Sequence, residues 1–322
     1  MADGRHGLKV APDSASPDEL CLYRSRSSAA RGDCGCFPRN AIRDEGGTAL
    51  NLFIQDLPRL SVDIDVVFID HTASRTEALR QIGASLEAAR NELNRRGLQA
   101  ESSLGAHVDE SKLFLRRGSH LVKVEVNHVF RGTMLPLQVR SLTPESRRLF
   151  TTEVHVPVLA TAELYGSKLV AALHRQHPRD LFDVHCLFET GGITDEMVEC
   201  FVGYLAGHHR PLHEVLASRD HDLTSAYENE FNGMARMPVA LEALIESRDR
   251  LRRELDARLT ANHRAFLLGL VAGEPNWELM RCGHLGELPA IRWKLQNLAK
   301  LRRTSPQKYA LQSAELRARF GA

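Results

Sequence analysis

The chain has 322 residues, a length that predicts two domains at one domain per ~150 residues. Its 42 Lys and Arg residues nearly balance its 41 Asp and Glu residues, and the formal net charge is +1. This balance excludes a uniformly basic protein that coats nucleic acid by charge alone. Only seven of the basic residues are lysines, so each lysine is a candidate for a specific role.

The sequence gives no sign of a membrane or secretory segment. It contains no run of ~18 apolar residues, and its first twenty residues lack the apolar stretch of a secretory signal. The six cysteines are scattered and form no CxxC pair, which argues against a disulfide framework or a zinc ribbon. We therefore expect a cytoplasmic protein with no membrane partner.

The first part of the chain reads as an irregular segment followed by mixed α and β structure. Residues 1–45 have no period of 2 or 3.6 residues and predict irregular or disordered chain. Beyond them, Ala49–Ile54 predicts a short helix and Leu60–Ile69 a strand rich in Val and Ile. Thr76–Arg96 predicts a longer helix with an apolar stripe that ends at Gly97.

A hairpin and then a helical region follow. Ser111–Arg116 and His120–Asn127 predict two strands joined by a turn, and from about Ala160 the pattern is almost wholly helical. Strands first and helices after predict an α+β fold with a mainly helical C-terminal domain. The predicted divisions are 1–45 for the irregular segment, 46–157 for the mixed core and 158–322 for the helical domain.

Two glycines and two aspartates form the sharpest motif. Gly46 and Gly47 allow close backbone approach to a ligand, and Thr48 offers a hydroxyl where a helix begins, a place that suits a phosphate. Asp63 and Asp65 alternate on a predicted strand and so project from one face. Such a carboxylate pair favours a hard divalent cation between its members. The alternatives are a plain turn at the two glycines and a solvated strand face at the two aspartates.

A third carboxylate follows from the same alternation. In the strand that starts at His120, the valines form one face and Lys123 and Glu125 the other. If this strand neighbours the strand of Asp63 and Asp65, Glu125 completes a trio of metal ligands.

The helical half adds a lysine and further aspartates. Ala162–Gln176 predicts a helix that carries Lys168, and Arg179–Glu189 predicts a second helix with Asp180 and Asp183 on one face. A lysine ammonium suits a triphosphate, and an aspartate can position an attacking hydroxyl or hold the lysine. An ordinary interhelical salt bridge is the alternative.

Together these motifs resemble a known family. The segments GGTALNLF and LPRLSVDIDVVF, Lys168-Leu169, PRDLFD from Pro178 to Asp183, and PAIRWKLQNL from Pro289 to Leu298 are typical of the nucleotidyltransferase AbiEii/AbiGii toxin family. This family is part of the DNA polymerase β-like nucleotidyltransferase superfamily. The resemblance covers roughly residues 46–310.

The resemblance implies a polymerase β-like nucleotidyltransferase core with a mixed sheet, a fold that transfers NMP from an NTP. It implies Mg²⁺, or Mn²⁺ in its place, held by three carboxylates, an NTP site at the start of the first helix, and three catalytic residues. The metal ligands would be Asp63, Asp65 and Glu125. The residues that contact the NTP would be Gly46, Gly47, Thr48 and Lys168. The catalytic residues would be Asp65, Lys168 and Asp183.

By the same resemblance, the biological role is that of a toxin in a toxin–antitoxin or phage-defence (abortive infection) system. The favoured acceptor is the 3′ end of tRNA, or another RNA, and the expected partner is a cognate antitoxin encoded nearby. Two alternatives stay open: a catalytically silent RNA- or antitoxin-binding protein on the same scaffold, and kinase-like phosphotransfer.

The lead-in to the glycines departs from the family pattern. Relatives usually have an apolar strand there, whereas this chain has Asp44 and Glu45 beside the expected phosphate site. We therefore expect residues 1–45 to be a truncated or frame-shifted start, which would leave the chain poorly folded or inactive.

The C-terminal tail is locally basic. From Ile291 onward, eight Lys and Arg residues stand against one acid, Glu315, which predicts a phosphate-backbone track for RNA at Arg292, Lys294, Lys300, Arg302 and Arg303. A solvated basic helix is the alternative. We expect Trp293 to pack in a core, and His174, His177, His185, His208 and His209 to be ordinary surface or core residues without a metal.

Overall fold

A computed structural model describes residues 42–61, 63–104, 111–117, 120–150 and 153–322. Within these ranges, strands of one mixed sheet alternate with helices in the first half, and helices fill the second half. The strands are β1 Ile42–Glu45, β2 Asp63–Phe68, β3 Gln99–Leu104, β4 Ser111–Arg117, β5 His120–Asn127, β6 Gln138–Ser141 and β7 His155–Val158. The predicted α+β arrangement is confirmed.

The helices of the described residues follow the same chain order. They are α1 Gly46–Phe53, α2 Arg75–Arg95, α3 Pro144–Phe150, α4 Thr161–Arg175, α5 Pro178–Glu189, α6 Asp195–Gly207, α7 Leu212–Leu216, α8 Thr224–Glu230, α9 Leu241–Arg258, α10 Ala261–Ala272, α11 Pro289–Thr304 and α12 Pro306–Phe320. In the part of the chain that the structure describes, none of these helices is both long enough and apolar enough to cross a membrane.

The sheet order places β2 at the centre. The strands lie in the order β3-β4-β5-β2-β1-β7-β6, with β2 parallel to β5 and antiparallel to β1. The predicted hairpin is the antiparallel pair β4–β5. Because β2 and β5 are parallel neighbours, side chains that alternate on each strand meet on a common face of the sheet.

Helix α2 covers one face of this sheet. Ser74 caps its N-terminus by accepting a hydrogen bond from the Glu77 N–H, and Ile82 and Leu86 are buried against Ile64 and other β-strand residues. The helix ends at Arg95, one residue before its predicted end, and Gly97 follows with a positive φ of 82° that other residues disfavour. The 3.6-residue apolar stripe therefore identified both the helix and its buried face.

The segment before the glycines differs from its prediction. Ile42–Glu45, expected to be irregular, forms β1, which pairs with β2 on one side and with β7 on the other. Ile42 and Glu45 are both buried. The neighbouring strands hydrogen-bond to the backbone of β1 and hold it in an extended conformation. The residue pattern of this charged four-residue segment does not predict a strand, because its conformation depends on those neighbours. Residues 1–41 lie outside the described residues.

The largest buried cluster joins the two halves of the chain. It contains Leu50 of α1 and Val67 of β2 together with Leu164 and Leu169 of α4 and many residues of the later helices. Strand β7 ends at Val158, next to the predicted boundary. The division into a core and a helical domain stays a prediction, and the shared cluster packs α1 and β2 against α4.

Candidate active site

Three carboxylates project from adjacent positions of β2 and β5. Asp63 and Asp65 alternate along β2, and the parallel register places Asp65 opposite Glu125 and Asp63 opposite Lys123. The neighbouring-strand arrangement expected for Glu125 is therefore present in the fold. Hydrogen bonding between the two strands fixes this register, so the acidic side chains are held together without any ligand.

Two lysines lie among these carboxylates. Lys123 Nζ is 3.6 Å from Asp63 Oδ1 and 3.3 Å from Glu125 Oε2, and Lys112 Nζ is 3.2 Å from Glu125 Oε1. Burial opposes ionisation of Glu125, but the hydrogen bonds from Lys112 and Lys123 hold its pKa below the usual value. Glu125 is thus an ionised carboxylate in the folded protein.

Asp65 is in a less favourable environment. Burial raises its pKa, Lys168 lowers it, and the negative charges of Asp63 and Glu125 raise it further, so the net shift is upward. A cation with hard-ligand preference relieves such repulsion, and carboxylate oxygens are the donors that Mg²⁺ and Mn²⁺ take. The donor set of Asp63, Asp65 and Glu125 therefore fits a divalent cation.

Lys168 is held in a buried network beside this cluster. Its Nζ lies 2.8 Å from Asp180 Oδ1 and 3.0 Å from Asp183 Oδ2. Arg59 binds Asp183 with two parallel hydrogen bonds, 2.7 Å to Oδ1 and 2.8 Å to Oδ2. Burial lowers the pKa of Lys168, but Asp180 and Asp183 outweigh it and raise the net value, so the lysine keeps its positive charge.

The two glycines fill the space between the carboxylates and this network. Gly46 has a φ of 76°, and a Cβ added there would lie 2.5 Å from Asp65 Oδ2. A Cβ on Gly47 would lie 2.7 Å from a terminal guanidinium nitrogen of Arg59 and 3.6 Å from Lys168 Nζ. The backbone at the start of α1 therefore touches both halves of the site, which requires residues without a side chain.

Comparison with known proteins identifies a family whose sequence profile matches the part of the chain that carries this site. The sequence profile of the family "Nucleotidyl transferase AbiEii toxin, Type IV TA system" matches residues 45–297, which include every residue of the site described above. The chain belongs to the AbiEii family. A search of curated proteins finds no match.

A solved structure supports the fold of this AbiEii-family chain. MenT4, a nucleotidyltransferase toxin from Mycobacterium tuberculosis, is similar over 92% of this chain and 97% of its own, with a TM-score of 0.56 and 23% sequence identity. At this identity the likeness shows a shared fold.

Thr48 directly follows the two glycines, and its hydroxyl is already hydrogen-bonded within the protein. Thr48 is buried, and its Oγ1 lies 2.6 Å from Ser61 Oγ and donates to the backbone carbonyl of Asp63. These bonds tie α1 to the first residue of β2. The phosphate contact expected of Thr48 stays a prediction, and the contacts present in the structure position the strand that carries both aspartates.

Glu45, the acid directly before the glycines, does not place the expected charge at the site, and the side chain of Asp44 lies outside what the structure describes. Glu45 is buried opposite Asp65, and burial, followed by the charge of Asp65, raises the pKa of Glu45 to about 8. The Glu45 carboxyl is therefore largely neutral at pH 7. A triphosphate near α1 would meet little repulsion from this residue.

Arg59 is a residue of the site that sequence reasoning did not identify. It lies in the segment before β2, is buried, and its partner Asp183 belongs to α5. The sequence offers one signal, an arginine within LPRLS just before the strand of the two aspartates. A planar guanidinium suits two-point binding of a buried carboxylate. Arg59 and Asp183 are so far apart in the sequence, however, that the sequence alone does not reveal that they pair.

The basic helix α11 is only partly as expected. Arg292, Lys300, Arg302 and Arg303 are exposed, whereas Lys294 is 6% exposed and donates to the backbone carbonyls of His208 and Arg210. Lys294 therefore does not lie on the surface with the other four. The expectation that Trp293 packs in a core is wrong, because its side chain is 56% exposed.

We expect Gly46→Ala to destabilise the protein and displace Asp65. The positive φ costs about 1 kcal/mol for a residue with a Cβ, and the contact with Asp65 Oδ2 adds to it. Urea unfolding measures the loss. Gly97→Ala, which has a similar φ of 82° and open space around its Cβ, measures the backbone cost alone. Equal losses for the two variants would contradict the proposed contact with Asp65.

We expect part of the stability to disappear in acid as Asp180 is protonated. Burial opposes ionisation of Asp180, but Lys168 and Arg175 outweigh it and lower its pKa to about 2. A depressed carboxyl pKa contributes stability above the unfolded-state value, and that contribution, ~2 kcal/mol, is lost as the pH falls from about 4 to 2. Urea unfolding against pH should show a shallower acid limb for Asp180→Asn, and an unchanged limb would refute this role.

Proposed function

We propose that this protein transfers a nucleoside monophosphate from an NTP to an acceptor hydroxyl and releases pyrophosphate and a proton. In this reaction the acceptor oxygen forms a bond to the α-phosphorus as the bond between that phosphorus and the pyrophosphate oxygen breaks. The observation that carries the proposal is the convergence of Asp63, Asp65 and Glu125 with Lys168 around Gly46 and Gly47. Membership of a nucleotidyltransferase toxin family supports the same reaction.

Each group of residues has a separate task in this proposal. Asp63, Asp65 and Glu125 would hold Mg²⁺ or Mn²⁺, which when bound neutralises phosphate charge. Lys168, kept protonated by its aspartates, faces the glycine backbone and stabilises charge on the triphosphate. Asp183 is fully buried and bonded to Arg59 and Lys168, so we assign it the positioning of Lys168 rather than contact with the acceptor.

The proposed acceptor is RNA, with the 3′ end of tRNA favoured. The support is helix α11, which has exposed Arg292, Lys300, Arg302 and Arg303 and no Asp or Glu anywhere in its sequence. Trp293 lies exposed on the same helix. A cationic helix follows phosphates, and an exposed aromatic ring adds a stacking surface for an unpaired base. We further propose a cognate antitoxin as partner and the cytoplasm as the site of action.

Labelled nucleotides test the reaction itself. Full-length protein with Mg²⁺ and each α-labelled NTP should label tRNA or another RNA, and a chelator should prevent the labelling. Absence of label in RNA and protein with every NTP would refute the transferase. RNA binding that persists without turnover would favour the silent binding protein, and label from the γ-phosphate alone would favour kinase-like phosphotransfer.

We expect Trp293→Ala to weaken RNA binding without changing its dependence on salt. Loss of one stacked base should weaken the binding free energy of Trp293→Ala by ~1–3 kcal/mol. Arg303→Gln removes a phosphate contact instead and should lower the slope of log affinity against log salt concentration by about one. Fluorescence anisotropy with single-stranded RNA measures both quantities. Met237→Ala, which removes another exposed apolar side chain outside α11, is the control. Equal affinities for Trp293→Ala and Met237→Ala would exclude a stacking role.

A further inference from the structure

His174 comes together at one end of α4 with His208 and His209, two adjacent residues that are distant from it in the sequence. His174 lies in the last turn of α4, and His208 and His209 follow α6 directly. One ring nitrogen from each residue can be chosen so that all three lie within 4.8 Å of one another. The ring centroid of His174 is 4.7 Å from that of His208 and 5.5 Å from that of His209.

The backbone that carries two of these histidines is held in place. Lys294 Nζ donates to the carbonyl oxygen of His208 at 2.8 Å and to that of Arg210 at 2.6 Å. The His208 N–H donates to the carbonyl of Leu205, which closes the end of α6. The buried Lys294 therefore holds the backbone of the loop that carries His208 and His209.

The cations around the three rings already have partners. Arg175 pairs with Asp180 at 2.8 Å, and Arg210 pairs with Glu214 at 3.4 Å. The Lys294 ammonium is directed at the two carbonyl oxygens of the loop. Repulsion of a further cation at the histidines is reduced accordingly.

We infer that His174, His208 and His209 form a binding site for a zinc ion, separate from the carboxylate site. Imidazole nitrogens are ligands that Zn²⁺ accepts readily, and three histidines with a water molecule complete its tetrahedral coordination. Magnesium prefers oxygen ligands and does not compete for this site. His209 is exposed, which gives the ion a route from solvent.

Binding has one identifiable cost and one structural consequence. His208 Nδ1 accepts the Arg210 N–H at 3.2 Å. Zinc at Nδ1 replaces this bond, and zinc at Nε2 puts the ring proton on Nδ1, so either mode gives it up. In return, the ion links the end of α4, the helix that carries Lys168, to the loop between α6 and α7.

Zinc titration of the full chain without a histidine tag tests this inference. After treatment with a chelator, the protein is titrated with Zn²⁺ against a chromophoric zinc indicator, and Co²⁺ is used as a spectroscopic substitute. We expect one equivalent of tight zinc binding and the visible absorption of tetrahedral Co²⁺. His174→Gln, His208→Gln and His209→Gln should each weaken zinc binding by about tenfold or more.

Two controls separate this site from others. His213→Gln alters a neighbouring histidine on α7, and Asp65→Asn removes a ligand of the carboxylate site; both should bind zinc like the wild type. Because His209 is exposed, His209→Gln reports on binding even if the other two variants fold poorly. Unchanged zinc affinity in His209→Gln, or no stoichiometric binding by the wild type, would overturn the inference, whatever the outcome of the nucleotidyl transfer assays.

Discussion

Asp65→Asn should abolish nucleotidyl transfer and, at the same time, leave the nucleotide-free protein at least as stable as the wild type. The Asp65 carboxylate is buried beside Asp63 and Glu125, and its pKa is raised in the folded state. A raised carboxyl pKa means that the negative charge costs the folded protein free energy at neutral pH. The neutral amide removes this cost, yet it also removes a proposed metal ligand, a loss that should lower the rate by ~10³-fold or more.

Rate and stability should therefore change in opposite directions for Asp65→Asn. Incorporation of label from an α-labelled NTP measures the rate, and urea unfolding without nucleotide or metal measures the free energy of unfolding. Glu101→Gln, an exposed substitution on β3 of the same sheet, should leave both unchanged. If Asp65→Asn lost activity only because it unfolded, the carboxylate would have a structural role and the catalytic assignment would be wrong.

Asp183→Asn should destabilise the protein, unlike Asp65→Asn, with a loss of ~3–5 kcal/mol in the free energy of unfolding. Asp183 is 0% exposed and accepts both hydrogen bonds from Arg59 while contacting Lys168 at 3.0 Å. Removing its charge leaves Arg59 and Lys168 buried with less compensation. Urea unfolding at pH 7 measures the loss, and Glu246→Gln, an exposed substitution on α9, should stay within ~0.5 kcal/mol of the wild type.

A double substitution distinguishes a buried ion network from ordinary packing. With Arg59→Met and Asp183→Leu together, neither member of the pair leaves an uncompensated charge, so the loss should be smaller than the sum of the two single losses. Additive losses would show that charge pairing across Arg59 and Asp183 contributes little. Transfer activity should fall in both single variants, because Lys168 loses Asp183 in one of them and Asp183 loses its Arg59 partner in the other.

The sequence predicted the strands of the candidate site because alternation determines which residues share a face. Asp63, Asp65 and Glu125 each alternate with apolar residues, and the parallel pairing of β2 with β5 then brings them together. Strand β1 escaped prediction because the polar residues of Ile42–Glu45 give no apolar alternation. Its conformation depends on the two strands that flank it, which lie far away in sequence.

Helix α11 shows why burial could not be read from residue type. Ile291, Lys294 and Leu298 recur at helical spacing and form its buried face, so the lysine is covered while Trp293 turns outward. The period predicts that one face is buried, but the neighbouring elements decide which one. The pairs Arg59–Asp183 and His174–His208 were missed for the same reason, since each joins elements that only the folded chain brings together.

A comparison of α-labelled with γ-labelled NTP decides whether this protein transfers a nucleoside monophosphate. Both labels are offered to the wild type and to Asp65→Asn with Mg²⁺ and tRNA, and the label in RNA and protein is counted. We expect label from the α-phosphate only, and only with the wild type, because nucleotidyl transfer attaches the α-phosphate to the acceptor and releases the other two phosphates as pyrophosphate. Label from the γ-phosphate, or equal α-label with Asp65→Asn, would contradict it.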